Sequence, residues 1–282
     1  MDSQTFSYTV PSGSTLHYLQ SGNPTGVLVI CLHGLGGSTA TYEPLLPFIP
    51  KRFRTILVDF PGHGKSPLPP HNTISIGDHV SHLDHLIAHL QGDDQKAVKP
   101  KLLLIGHSLG AAVAMQYAAQ APDLVAGLVL IAPIQSGAKI PPFRERMLEL
   151  AANTRNHGIS FAADLAVQTN FPTNDQLLIN ATHRKVVRSI VASTDPEGYA
   201  QTCEAIVGLD HENPDYRKII CPALLIAGDG DIISPVARSQ GLKDQLGGES
   251  SVKVVNSGHQ VILEDVETVA SSVLGLLDRA NV

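Results

Sequence analysis

Ser108 is the residue best placed to do chemistry. It lies in Ile105-Gly106-His107-Ser108-Leu109-Gly110, after the apolar run Leu102-Leu103-Leu104 and before the small-residue run Ala111-Ala112-Val113-Ala114-Met115. This pattern predicts a strand that runs straight into a helix with one serine at the corner. Such a turn is too tight for β-carbons two residues either side of the serine, hence Gly106 and Gly110, and it strains the serine so that its hydroxyl stands out of the sheet. A hydroxyl is a weak nucleophile on its own. Acyl transfer through it needs a base to take the proton, an acid to orient that base, and N–H donors for the oxyanion.

Candidates for all three follow predicted strands. The acid candidates are Asp229 and Asp231, in Leu225-Ile226-Ala227-Gly228-Asp229-Gly230-Asp231-Ile232-Ile233-Ser234-Pro235. Loop aspartates are commonly turn formers. Asp231 is favoured, and Pro235 behind it suits the start of a helix. The base candidate is His259, in Val254-Val255-Asn256-Ser257-Gly258-His259, singled out from 13 histidines by its place after a strand, a turn and a glycine. It also completes the chain order Ser, Asp, His expected for a serine at such a corner. The oxyanion donors should be the backbone N–H groups of Leu109, at a helix N-terminus where the dipole favours negative charge, and Leu35, in His33-Gly34-Leu35-Gly36-Gly37, whose glycines permit close backbone approach.

The elements that must hold these residues are legible as continuous apolar runs: Val27–Leu32, Thr55–Val58, Leu102–Ile105, Leu128–Ile131, Ala223–Ile226 and Val252–Val255. Runs of this kind indicate strands buried on both faces of a parallel sheet covered by helices. Thr5–Val10 and Thr15–Tyr18 are more polar and suit an antiparallel hairpin at the sheet edge. Helical stripes recur at Ile76, Val80, Leu83, Ile87, Leu90 and at Val266, Val269, Ala270, Val273, Leu274, Leu277. The alternation predicts an α/β fold with right-handed crossovers. From Ile134 to Asp215 the patterns are helical with no buried strand. This predicts a core of residues 1–133 and 216–282 interrupted by a helical cap at 134–215, over the carboxyl edge of the sheet.

A chain of 282 residues can bury one large core. Its net charge of -6 gives no reason to expect nucleic acid or an anionic membrane as partner. No apolar run approaches a membrane span. The start, Met1-Asp2-Ser3-Gln4-Thr5-Phe6, does not read as a secretory signal. Cys31, Cys203 and Cys221 are odd in number and irregularly spaced, which argues against a disulfide framework or zinc site and for a reducing, cytoplasmic setting. His79, His82, His85 and His89 suggest a metal cluster. Placed opposite the apolar stripe of their helix, they read instead as a solvated face.

These motifs resemble those of the α/β-hydrolase family, in particular its lidded group of esterases, lactonases and C–C bond hydrolases. The resemblance rests on His33-Gly34, Asp59-Phe60-Pro61-Gly62-His63-Gly64-Lys65-Ser66, Gly106 to Gly110, Gly228 to Asp231, and Gly258-His259, in family order across nearly the whole chain. It implies an α/β-hydrolase fold, with a mostly parallel central sheet, helices on both faces and a helical cap. It implies a catalytic triad of Ser108, Asp231 and His259, no metal or other cofactor, and a monomer or weak homodimer acting on a small molecule. A narrower stretch, Gly198 to Ile206 with Leu209-Asp210 and Ile220 to Ala223, is similar to the last cap segment of 3-oxoadipate enol-lactonases and points toward lactones.

The expected activity is therefore hydrolysis of a carboxylic ester, a lactone or another small ester, through an acyl-serine. A serine at position 108 argues against epoxide hydrolase or dehalogenase chemistry, which would need an aspartate there. Ile131-Ala132-Pro133-Ile134-Gln135 offers no carboxylate as an alternative acid. The same triad also suits a C–C bond hydrolase on a vinylogous diketone, a cofactor-free peroxidase-like activity, or a hydrolase-like receptor for a small molecule. Phe143, Met147, Phe161, Phe171 and Tyr199 are candidates to line an apolar pocket or to pack between cap helices. Arg144, Arg146, Arg155, Arg184, Lys185 and Arg188 make parts of the cap basic, and one pointing inward would hold a substrate carboxylate.

Overall fold

The chain is described from a computed structural model that covers residues 3–69, 73–92, 100–172 and 181–279. Met1 and Asp2 of the N-terminal reading, and residues 173–180 of the expected cap, lie outside the described residues.

The strands are β1 (Gln4–Thr9), β2 (Thr15–Gly22), β3 (Leu28–Leu32), β4 (Arg54–Val58), β5 (Leu102–His107), β6 (Val125–Ile131), β7 (Ala223–Gly228) and β8 (Ser250–Val255). They form one sheet in the order β1-β2-β4-β3-β5-β6-β7-β8. The polar hairpin is antiparallel and lies at the edge, as its composition predicts, and β2 also runs antiparallel to β4. Every other pairing is parallel.

Side-chain alternation divides the central strands between two cores. Ile30, Leu32, Leu104 and Leu130 join one core with α1 (Ile76–Gln91) and α2 (Leu109–Gln120). Cys31, Leu103, Ile105 and Val129 join the other, with α9 (Val266–Arg279) and the short α8 (Val261–Glu264). Burying each such aliphatic side chain stabilises the fold by roughly 1.5–3 kcal/mol. α7 (Val236–Lys243) packs on β7 and β8.

Two expectations need correction. β8 is not buried on both faces: Val255 alone is fully covered and Val254 is 43% exposed. It is an edge strand, paired with β7 only, so one flank meets solvent. The histidines of α1 are not a solvated face either. His79 and His82 are buried, His85 is half-buried, and His89 is exposed but stacks on Tyr8 with ring centroids 4.2 Å apart. Position 79 falls three residues after Ile76 and four before Leu83, so helical geometry sets it within the apolar stripe. Among the described residues no group of three or more His, Cys, Asp or Glu could hold a metal ion.

Among the described residues four α-helices stand between β6 and β7: α3 (Pro141–His157), α4 (Ile159–Thr169), α5 (Ala181–Ala192) and α6 (Pro196–Ile206). α3 packs on α6 and α4, and α4 on α5. Their buried contacts are largely small residues, Ala151, Ala162, Ala163, Ala166 and Ala200, which let the helices approach closely. Asp195 caps α6 by accepting from Gly198 N–H at 2.9 Å, and its own N–H donates to Gly62 O at 3.1 Å in the loop after β4. Among the described residues no helix is long and apolar enough to cross a membrane.

Candidate active site

The carboxyl ends of β3, β5 and β7, with the loop after β8, converge on one point. β5 ends at His107 and α2 begins at Leu109, which leaves Ser108 alone at the corner. Its backbone has φ 52° and ψ −112°, a conformation costing of order 1–3 kcal/mol for a residue with a side chain. The flanking glycines are required by space. A β-carbon on Gly110 would lie 2.0 Å from Leu32 O, and one on Gly106 2.4 Å from Gly110 O.

Ser108 Oγ lies 3.0 Å from His259 Nε2, and His259 Nδ1 lies 2.8 Å from Asp231 Oδ2. All three residues are buried. A carboxylate accepts only, so His259 carries its proton on Nδ1, and its Nε2 lone pair faces the serine hydroxyl. Asp231 Oδ1 accepts from the N–H groups of Ile233 at 2.8 Å and Ser234 at 2.9 Å. Burial pushes the Asp231 carboxyl upward. The hydrogen bond and charge of His259, with those two N–H groups, outweigh burial and hold it below its usual range. Asp229 is exposed and accepts from Ser257 N–H at 3.1 Å, so it does not reach the imidazole.

His259 is gripped through its backbone as well. Its N–H donates to Asn170 O at 2.7 Å, just past α4. Its carbonyl accepts from His107 Nε2 at 2.9 Å. Burial, with His259 close by, pushes the His107 imidazole down to about 3, so the ring is neutral, and its Nδ1 has no partner. Glu264 of α8 accepts from Gly258 N–H at 2.9 Å, one residue before His259. Burial raises the Glu264 carboxyl to about 7. Asn170, His107 and Glu264 as supports of the histidine loop escape sequence reasoning. Only Glu264 leaves a trace, as an acid within the first turn after a glycine-histidine pair.

The loop after β3 is pressed against the serine: a β-carbon on Gly34 would lie 3.1 Å from Ser108 Cβ. His33 fixes this loop by donating from Nδ1 to Gly34 O at 2.7 Å and accepting at Nε2 from Phe60 N–H at 2.9 Å. Asp59 fixes the next one, accepting from Thr39 N–H at 2.6 Å, Lys65 N–H at 3.0 Å and His17 Nδ1 at 2.7 Å. Leu35 is half-buried on the first of these loops. Leu109 opens α2, where its N–H has no acceptor within the helix.

The aromatic and apolar candidates divide. Tyr199 is buried against the loop after β3, its Cε2 2.9 Å from where a β-carbon on Gly36 would sit. Met147 is buried in the core, and Phe143 is half-buried against Gly137. Phe161 lies beside His157, with centroids 5.8 Å apart. Phe171 is buried under the Arg184 guanidinium, 4.8 Å from its ring centroid. None of these five lines the narrow cleft beside the serine. That cleft is walled by Gly34 to Gly37, Thr41, His107, Asn170, Gln260, Ile262 and the Val186–Val191 face of α5, and borders the serine through Gly34 and His107.

A serine strained at a strand–helix corner, an imidazole on its hydroxyl and a carboxylate behind the imidazole thus lie together at the carboxyl edge of a mostly parallel α/β sheet. The chain belongs to the alpha/beta hydrolase family, whose model matches residues 29–272. It is 28% identical to the dihydrolipoyllysine-residue acetyltransferase component of the acetoin cleaving system of Pseudomonas putida, over 271 residues covering 94% of this chain and 67% of that one. Some other curated relatives are matched over only about a third of their own length, and others over 72% to 92% of it. A thermophilic esterase from Thermogutta terrifontis superposes with a TM-score of 0.86 at 23% identity, covering 99% of this chain and 100% of the other. The enol-lactonase from Burkholderia xenovorans LB400 does so at 0.82 and 24%, covering 97% and 100%. At these identities the two likenesses show the shared fold.

Proposed function

We propose that the protein hydrolyses a carboxylic ester, a lactone or another small ester, through an acyl-enzyme on Ser108. The observation that carries this reading is the unbroken relay from Ser108 Oγ through His259 to Asp231, at 3.0 and 2.8 Å. His259 Nε2 takes the hydroxyl proton as Ser108 Oγ attacks the carbonyl carbon. Asp231 keeps the imidazole in the needed tautomer and stabilises its charged form. The tetrahedral oxyanion is held by the N–H groups of Leu35 and Leu109, the latter at the positive end of the α2 dipole. His259 then returns its proton to the leaving alkoxide. In a lactone that alkoxide stays tethered to the acyl group. A water deprotonated by His259 attacks the acyl-serine, and Ser108 regains its proton as the acid leaves.

In this reading α3–α6, within residues 134–215, form a cap over the site, supported by the contacts of Asn170 with His259 and of Asp195 with Gly62. The three cysteines are free and buried, in keeping with a reducing compartment such as the cytoplasm. A panel of p-nitrophenyl esters and small lactones, run with wild type and Ser108→Ala, tests the proposal. Multiple turnovers by the wild type and none above background by the variant are expected. Equal rates would remove Ser108 from the chemistry.

A further inference from the structure

The chain from Asn170 to Pro172, just past the end of α4, lies against both loops that carry the acid and the base. Asn170 O accepts from His259 N–H at 2.7 Å. A β-carbon on Gly258, the residue before His259, would lie 2.4 Å from Asn170 O and 2.9 Å from Phe171 Cα and Pro172 Cδ. One on Gly230, the residue before Asp231, would lie 2.9 Å from Pro172 Cγ. Backbone meets backbone at this seam with no side chain between, so the placing of Asn170–Pro172 sets where both loops can rest.

Backbone just past a helix is held by whatever satisfies the last carbonyls of that helix. Asn170 N–H turns back to Ala166 O at 2.9 Å. Val167 O has a partner from another helix, Arg184 of α5, whose Nη1 donates to it and whose Nη2 donates to Pro172 O at 3.5 Å. The same guanidinium lies 4.8 Å from the centroid of the buried Phe171 ring. A cation is favoured both at a helix C-terminus and over an aromatic face. Arg184 thus grips the chain on both sides of Asn170. It also reaches the second support of the histidine loop. Burial raises the carboxyl of Glu264, which accepts from Gly258 N–H, and the Arg184 charge pulls it back down. Other basic residues of these helices are turned elsewhere. Arg188 pairs with Asp164 at the surface, and Arg155 with Glu197 and Glu204.

We propose that Arg184 is a positioning residue for the triad. It holds Asn170–Pro172 against the loops of His259 and Asp231, and so ties the catalytic geometry to α5. The proposal rests on the hydrolysis proposed above. Arg184 spends its donors on the chain's own carbonyls, not on a substrate carboxylate, and acts on the chemistry only through backbone.

Arg184→Met keeps an unbranched apolar stem on Phe171 and removes the charge and both donors. On a p-nitrophenyl ester kcat should fall by about tenfold with KM within about twofold, part of the ~100-fold that a full 1 Å misplacement can cost. Arg184→Lys keeps the charge and a point donor, so it should recover to about threefold below wild type. Arg188→Ala, one turn further along α5, should stay within about twofold. The downfield proton resonance of His259 Nδ1–H, identified by its absence from Asp231→Asn, should shift in Arg184→Met and stay in place in Arg188→Ala. A merely structural role for Arg184 would lower the melting temperature without moving it. Wild-type kcat in Arg184→Met, a loss confined to KM, or an equal loss in Arg188→Ala overturns this proposal and leaves the hydrolase reading standing. Should Arg184→Met melt below the assay temperature, Arg184→Lys decides: wild-type kcat with an unmoved resonance overturns the proposal. If the wild type turns over no ester, the hydrolase reading fails, and the resonance alone decides whether Arg184 positions His259.

Discussion

The carboxyl edge of the sheet and the four helices between β6 and β7 hold their residues in different ways. At the edge each position is set by backbone. Ser108 is fixed by a strained corner that only Gly106 and Gly110 permit. His259 is held by hydrogen bonds at its N–H, its carbonyl and both ring nitrogens. Among α3–α6 the fixing is by small-residue packing and exposed ion pairs, such as Arg155 with Glu197 and Glu204. The contrast teaches that geometry is over-determined where charge must move and loosely determined where a surface is only to be covered. Substitutions at the edge should therefore cost activity steeply, and those among the helices, Arg184 apart, should cost a little stability.

The steepest loss is expected for Ser108→Ala, at about 10³–10⁶-fold in kcat with an unchanged melting profile. Ser108→Gly sharpens the point. It should be as inactive yet melt higher than Ser108→Ala, because glycine relieves φ 52°. Equal melting temperatures would mean that the corner stores no strain. Next, Asp231→Asn should lower kcat by about 10³–10⁴-fold through loss of the imidazole tautomer. Asp229→Asn should stay within about twofold, since Asp229 reaches only Ser257 N–H. The reverse ranking would move the acid.

Glu264 tests whether the edge is rigid because of its supports. Glu264→Ala removes the acceptor for Gly258 N–H and should lower kcat by about tenfold with KM little changed, less than the ~100-fold that a full 1 Å misplacement of His259 can cost. Its titration has a definite sign. With a folded pKa of about 7, Glu264 keeps its proton where the unfolded chain, near 4.5, has lost it. The folded state then binds more protons, so stability falls as pH rises from about 4.5 to 7. Arg184 from α5 and Asp231 from the β7 loop act on it with opposite signs. Thermal melts of Glu264→Gln should lack this component of the pH dependence. A wild-type curve parallel to the variant's would remove Glu264 as its source.

Buried histidines act in the other direction. His63 and His107 are each held down to about 3 by burial first, then by a neighbouring imidazole, His33 and His259 respectively. In the unfolded chain both protonate near 6.5. Below that pH the unfolded state binds more protons, so stability is lost as pH falls toward 3, by up to about 1.4 kcal/mol per pH unit for each ring. His63→Gln should unfold less steeply between pH 6 and 4 than wild type. An unchanged slope would assign the acid sensitivity to other groups.

Most of the edge was legible because its constraints are written as residue types at fixed spacing: glycines two residues either side of Ser108, aspartate and histidine after apolar runs. What was not legible depends on contacts between distant segments. The bond from Asn170 O to His259 N–H crosses 89 positions of sequence between residues that no motif connects. His79 is a titratable ring and so suggests solvent, yet its helical position between Ile76 and Leu83 buries it. The exposure of β8 is not legible because four apolar or long-chain residues in a row do not reveal which strand lies at the edge. The five aromatic and apolar pocket candidates rest on composition alone, while the Val186–Val191 face of α5 that walls the cleft carries no signature beyond ordinary amphipathicity.

The mildest expectation concerns Arg155, which joins α3 to α6 through both oxygens of Glu197, at 2.8 Å each, and through Glu204. Bidentate geometry and two partners favour it over an isolated surface pair. Its side chain is 36% exposed and Glu197 and Glu204 are 44% and 39% exposed, so solvent screens the charges. Arg155→Ala should therefore destabilise the fold by about 0.5–1 kcal/mol, a small drop in denaturant midpoint at constant slope. Its kcat/KM on a neutral ester should stay within about twofold, because the arginine neither lines the cleft nor touches the histidine loop. A tenfold loss of kcat/KM at preserved stability would show that α3 and α6 also transmit their arrangement to the edge, and the contrast between the two regions would then fail at its weakest joint.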